Sequence, residues 1–278
     1  MICFIHIERT GGTTLHRVFV NNFPGYVHLK SWCFWSNLER NDFSRRECRY
    51  LKRFLPWVRM IGGHGLRSYL RYETILGEPV QYVTFLREPV SRYLSHFRYQ
   101  RDVMRIGWTL DSFCAEPMFN NYMTHHIVPD GDVDAAKRAL RDEFAFVGML
   151  EDFDRSLVLM SDLLGLDGFD TRYEICNANR RPRQKRDGEL AAALREKILE
   201  NNALDLELYR YVKEEVFPSH VRAAGSDLED RVRQHLEASR DFRFSPQRQL
   251  LSKVYMKAMH RPVEKVLRNL YRTERKAA

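Results

Sequence analysis

Residues 2–15, Ile2-Cys-Phe-Ile-His-Ile-Glu-Arg-Thr-Gly-Gly-Thr-Thr-Leu15, decide the fold. The stretch opens as a continuous apolar run rich in β-formers, which predicts a buried strand. Arg9-Thr10-Gly11-Gly12 then makes a turn, and a helix-like pattern follows from Thr13 to about Asn21. A strand, a glycine turn and a helix N-terminus in that order form an anion cradle, because the turn N–H groups and the helix dipole point at one spot. The glycines let the backbone approach a phosphate. The two threonines can cap the helix and donate hydroxyls, and Arg9 adds a fixed positive fork. A strand–turn–helix that binds nothing has the same outline, so a second motif is required.

Two familiar phosphate cradles are excluded. The nucleoside-triphosphatase loop needs G-x-x-x-x-G-K-[ST], and the chain has no Gly-Lys pair. The dinucleotide fingerprint needs G-x-G-x-x-G, whose spacing Gly11-Gly12 lacks. A second strand-to-helix junction lies further along. Pro79–Leu86 reads as a strand that runs into Arg87-Glu88-Pro89 and a helix from Val90 to Tyr99. Pro89 suits a first helical turn, and Val90, Leu94 and Phe97 share a face. Arg87 sits at the strand end and Ser95 about two turns into the helix, so both can address one anion. Between the two junctions, Trp57–Gly63 reads as a short strand with His64-Gly65 directly after it, where open α/β sheets place ligands.

Together these residues carry a resemblance. Aromatic-Ile-His-Ile-x-basic-Thr-Gly-Gly-Thr-Thr resembles the 5′-phosphosulfate loop of carbohydrate sulfotransferases, which use 3′-phosphoadenosine-5′-phosphosulfate (PAPS). Strand-Arg-Glu-Pro-Val-x-Arg-Tyr-Leu-Ser resembles their 3′-phosphate motif. The likeness is nearest to heparan sulfate 6-O-sulfotransferases and their bacterial relatives, and the family usually carries Lys where this chain has Arg9. Similarities in Asn120–Met123, Phe146–Phe153 and Asn202–Tyr211 extend it over about residues 1–218. The resemblance implies an α/β, P-loop-like three-layer fold with a central parallel sheet flanked by helices. It implies an enzyme moving a sulfuryl group from PAPS to a carbohydrate hydroxyl. PAPS would be held by Arg9, Thr10, Gly11, Gly12, Thr13, Thr14, Arg87 and Ser95, with Arg9 and His64 catalytic. A histidine's ordinary pKa of about 6.5 suits the base that takes the acceptor's proton. His6 is the rival but lies inside a buried strand, and His125 and His126 are less well placed. The irregular basic stretch Glu174–Arg186 offers Asn177, Arg180 or Arg181 as a flap over the cofactor or a contact for an acidic acceptor. No His, Cys or carboxylate cluster has ligand spacing, so no metal is expected. Two alternatives remain open: a non-catalytic nucleotide-fold binding protein, and a P-loop-type phosphotransferase.

At 278 residues the chain suits one α/β domain with additions. No 18-residue apolar run and no secretory leader are read from it. The cysteines Cys3, Cys33, Cys48, Cys114 and Cys176 are odd in number and lack a Cys-x-x-Cys pair, which fits a reducing cytoplasm. Of the net charge of +8, residues 246–278 hold nine Lys/Arg against two Glu, a net of +7. The body is nearly neutral, so nucleic acid is not an expected partner. The expected division is a sulfotransferase domain over 1–218 and a basic helical C-terminal extension over 219–278. Residues 227–240 read as a charged helix, and Pro262 is expected to split a long helical pattern after Pro246. Its apolar stripe, Leu250/Leu251 through Leu270/Tyr271, is the composition of a helix lying on an anionic membrane or packing on the domain.

Overall fold

The computed structural model describes residues 1–29, 37–174 and 192–277. Strand β1 (Ile2–Ile5) is buried at every position, as its unbroken apolar run requires of a strand covered on both faces. It pairs in parallel with β3 (Met60–Gly63) on one side and β4 (Gln81–Leu86) on the other, with Ile5 opposite both Gly63 and Thr84. β2 (Val27–Leu29) joins the outer edge of β3, and β5 (Phe144–Met149) that of β4. Among the described residues the sheet is therefore five parallel strands in the order β2-β3-β1-β4-β5.

Parallel neighbours need crossovers, and helices supply them. α1 (Gly12–Asn22) follows β1, α2 (Asn37–Phe54) follows β2, and α3 (Tyr72–Leu76) follows β3. Between β4 and β5 come α4 (Pro89–Arg98), α5 (Leu110–Cys114), α6 (Tyr122–Ile127) and α7 (Val133–Asp142). After β5 the chain forms α8 (Phe153–Leu163), α9 (Ala192–Asn201), α10 (Ala203–Tyr211), α11 (Phe217–Ala223) and α12 (Leu228–Ser239). It closes with α13 (Pro246–Tyr255) and α14 (Arg261–Ala277). The expected central parallel sheet flanked by helices is what forms. Pro262 falls in the first turn of α14, and the split itself is a widened turn at Met256–His260 just before it. A proline without an N–H, whose ring crowds the preceding turn, accounts for the irregularity on that side.

Among the described residues, two apolar clusters hold the layers. The larger runs through all five strands and reaches Leu228 of α12. The smaller, Tyr93, Phe97, Phe113, Cys114, Phe119 and Ile198, ties α4 to α5 and α9. The last helices also lie against the body. Arg248 Nη1 donates to the Asn21 carbonyl at 2.7 Å, and Gln249 Nε2 to that of Arg17 at 3.3 Å, seating α13 on α1.

The strand order places the carboxyl end of β1 between those of β3 and β4. The three segments leaving them, beginning at His6, His64 and Arg87, therefore emerge side by side. Ligands of open α/β sheets bind outside these ends.

Candidate active site

The loop from β1 to α1 turns on two left-handed residues, Arg9 (φ 73°) and Gly11 (φ 92°). The buried Thr10 hydroxyl donates to the Ile7 carbonyl at 2.9 Å and ties the turn together. The expectation that the threonines cap α1 is corrected. Gly11 is the cap, no side chain bonds there, and Thr13 and Thr14 fall inside the first turn, exposed and half-buried respectively. A helix start closed by no side chain presents its dipole and first N–H groups outward, the arrangement that suits an anion. The second glycine also has a role the sequence did not suggest. A Cβ on Gly12 would lie 1.7 Å from His6 Nε2, so its bareness admits the His6 ring beneath the helix start.

The two sequence motifs meet. Arg87 Nη1 donates to the Arg9 carbonyl at 3.1 Å, supporting the strained left-handed residue. Arg9 Nε donates to Ser95 Oγ at 3.0 Å, and its guanidinium lies 5.0 Å from the centre of the Tyr99 ring. α4 is held in place by Glu88, whose carboxylate accepts from Val90 N (3.0 Å) and Ser91 N (2.7 Å). Pro89 occupies the first turn, where its missing N–H costs nothing. Residues 9, 87 and 95 thus form one contact set, and the two expected anion sites share a wall.

His64 stands just past β3, half-buried, with Nδ1 3.0 Å from the His6 carbonyl and 3.5 Å from Glu8 Oε1. A carbonyl can only accept, so a ring proton resides on Nδ1, and in the neutral tautomer the lone pair falls on Nε2. Glu8 and Tyr122 are participants that sequence reasoning missed. The Tyr122 hydroxyl donates to Glu8 Oε2 in a short hydrogen bond. Burial by itself would raise the Glu8 pKa. The facing His64 and His96 and the Tyr122 hydroxyl outweigh it and hold the carboxyl below its ordinary value. Nothing local marks Glu8, an acid between Ile7 and Arg9. Tyr122 lies in the Asn120–Met123 segment, whose likeness gives this tyrosine no role. Asn121 proves to be a brace, its Oδ1 accepting from Leu204 N at 2.9 Å.

Of the rival histidines, His126 is buried with Nε2 2.7 Å from Arg67 Nη1, and His125 is exposed on the same helix. His6 is buried, and burial followed by the neighbouring imidazoles of His64, His16 and His28 keeps its pKa well below the usual histidine value. Asn177, Arg180 and Arg181 lie outside the described residues.

Fold and site together define an α/β protein with Arg9, Arg87 and an uncapped helix start gathered at the crevice outside the carboxyl edge of a parallel sheet. No family model matches the chain. It is 30% identical over 208 residues to human galactose-3-O-sulfotransferase 3, a match covering 64% of this chain and 48% of that protein. The bovine galactose-3-O-sulfotransferase 3 is 29% identical over 209 residues with the same coverage. The chain spans about half the length of the curated relatives it matches. Over that stretch it is similar to carbohydrate sulfotransferases. The crystal structure of mouse sulfotransferase SULT7A1 complexed with PAP aligns with 97% of this chain and 88% of its own. Its TM-score of 0.42 and 14% identity are too distant a likeness to superpose the sites.

Proposed function

We propose that the chain transfers a sulfuryl group from PAPS to a hydroxyl of a carbohydrate acceptor. The observation that supports this most is the convergence of Arg9, Arg87 and Ser95 beside a helix N-terminus that no side chain caps. A donor with a phosphosulfate at one end and a 3′-phosphate at the other needs two adjacent anion grips. Arg9 with the Thr10–Thr14 segment suits the first, and Arg87 with Ser95 the second. PAPS supplies the activated sulfuryl group. The chain's own residues fix its orientation, take the acceptor's proton at His64 Nε2, and counter the charge gained by the leaving phosphate. Arg9 stays protonated and is a poor proton donor, but the leaving phosphate is weakly basic and needs charge more than a proton.

The test is the melting temperature with PAP or with ATP, in the native chain and in Arg87→Ala. PAP raises it in the native chain, and Arg87→Ala weakens PAP binding by about 2–4 kcal/mol through loss of a charge-assisted contact. Affinity unchanged within about twofold overturns the assignment of Arg87. A response to ATP alone favours the phosphotransferase. The names of the relatives make galactosides the first acceptors to try.

The setting proposed is cytoplasmic, at the inner face of an anionic membrane. Leu250 is 61% and Leu251 67% exposed, with Val254 and Met259 also exposed, and Arg248, Lys253 and Lys257 lie among them. Exposed apolar and cationic side chains interspersed along one helical segment suit an anionic interface. Among the described residues no helix is long and apolar enough to cross a membrane.

A further inference from the structure

Three histidines that the sequence keeps far apart come together beside the crevice. His28 sits in β2, His64 follows β3 and His6 follows β1, and one nitrogen of each lies within 4.8 Å of the others. β2 and β1 are not neighbours; β3 runs between them. On the sheet face that Phe4, Gly62 and His28 share, a Cβ on Gly62 would lie 2.5 Å from the Tyr26 hydroxyl, so its bareness admits the tyrosine that holds His16 beside the cluster. The His6 and His28 rings approach to 6.5 Å, and those of His6 and His64 to 3.9 Å.

We propose that His6, His28 and His64 form a binding site for a borderline divalent transition-metal ion of the Zn²⁺ type. Three imidazole nitrogens suit zinc, cobalt, nickel or copper, whereas magnesium and calcium select oxygen ligands. The ring orientations also fit. A metal-bound histidine donates its other N–H to a carbonyl, carboxylate or similar acceptor, which fixes the ring and frees the second nitrogen. His64 does so through Nδ1 to the His6 carbonyl at 3.0 Å, with Glu8 close behind. His6 Nδ1 lies 2.8 Å from His16 Nε2, and His16 Nδ1 lies 2.5 Å from the Tyr26 hydroxyl. With the proton on His6 Nδ1, that relay leaves His6 Nε2 as the ligand atom. Three protein ligands leave a fourth position open, the pattern of sites that exchange water or substrate.

The site has a consequence that rests on the proposed sulfuryl transfer. The lone pair on His64 Nε2 that would bind the ion is the one that would accept the acceptor's proton. Metal occupancy and base action therefore exclude each other, and the ion inhibits turnover without displacing PAP.

The experiment uses the metal-stripped full chain. Co²⁺ titration gives visible d–d absorption that saturates at one ion per chain, Zn²⁺ abolishes it, and Mg²⁺ produces no competition. His28→Gln, at a residue with no assigned part in transfer, weakens Co²⁺ binding by at least the roughly 10–100-fold that losing even an outer partner costs. Absence of saturable binding, equal competition by Mg²⁺, or unchanged affinity in a folded His28→Gln overturns the site. The native chain gives a second readout should that variant not fold. Zn²⁺ shields His28 and His64 from diethyl pyrocarbonate, and unchanged modification at saturating Zn²⁺ overturns the proposal as well. Co²⁺ binding without any response to PAP removes the sulfuryl-transfer reading and leaves the metal site standing. A response to PAP without Co²⁺ binding does the reverse.

Discussion

At His64 the two ring nitrogens face different partners. Nδ1 is committed to the His6 carbonyl, with Glu8 at 3.5 Å, so only Nε2 is left for chemistry. His64→Ala should therefore lower turnover about 10²–10⁴-fold, the scale of a lost general base. PAP affinity should stay nearly intact, because the Arg9–Ser95 and Arg87–Arg9 contacts do not involve this ring. Rapid-mixing turnover and PAP titration on the same preparation check both halves. Full turnover in the variant would move the base to His125, since His126 is buried against Arg67. His64, Arg9, Arg87 and Ser95 were legible in the sequence because each belongs to a strand-to-helix junction read within a dozen residues. Glu8 and Tyr122 were not, because their pairing spans 114 positions and neither residue type announces it.

The start of α1 is an element whose geometry rests on one missing methyl. A Cβ on Gly12 would stand 1.7 Å from His6 Nε2, far inside contact distance. Gly12→Ala should destabilise the chain by about 1–3 kcal/mol, the usual cost of overpacking, as read by urea denaturation. Adding His6→Ala should recover part of that loss, because the two changes share one space. A neutral Gly12→Ala would show that the ring does not sit there. The sequence suggested a glycine for the ligand's approach, and the structure adds one for a side chain of the protein itself. At the other end of the chain, α13 is seated on α1 while Leu250 and Leu251 face outward. Replacing both by Ser should abolish co-sedimentation with anionic vesicles at low salt and leave the melting temperature unchanged. Equal recovery of native chain and variant in the supernatant would reduce α13 and α14 to a structural role.

Across the whole molecule, buried neutral histidines make stability depend on pH. Burial, then the Arg92 guanidinium, pushes His96 down to about 3, while Glu8 opposes and Arg9 and His64 reinforce the shift. Burial pushes His220 down to about 4, and its Nε2 accepts the Val147 N–H at 3.3 Å. Both folded-state values lie below the ordinary 6.5, so the folded chain resists protons that the unfolded chain takes up. Their contribution is fully present above about pH 6.5 and is lost progressively as pH falls through that value toward the folded ones. Together they should remove roughly 3–4 kcal/mol between pH 7 and pH 5. Denaturant titrations at the two pH values measure it, and equal stability would mean that both rings are protonated in the fold. Charge and composition foretold none of this, because burial is a property of the assembled layers. The same holds for the strand order, which local periodicity does not encode and which alone brings His6, His28 and His64 together.

The smaller apolar cluster has a kinetic consequence. Tyr93 and Phe97 anchor the Ser95-bearing helix to α5 and α9, separately from the core that runs through the sheet. Such a unit can open while the rest stays closed, with a free energy below that of global unfolding. Amide deuteration should reach α5 before β1 and β4. An anion gripped by Ser95 would slow exchange in α5 and α9, two helices that it never touches, turning a local clamp into a signal readable far from the crevice.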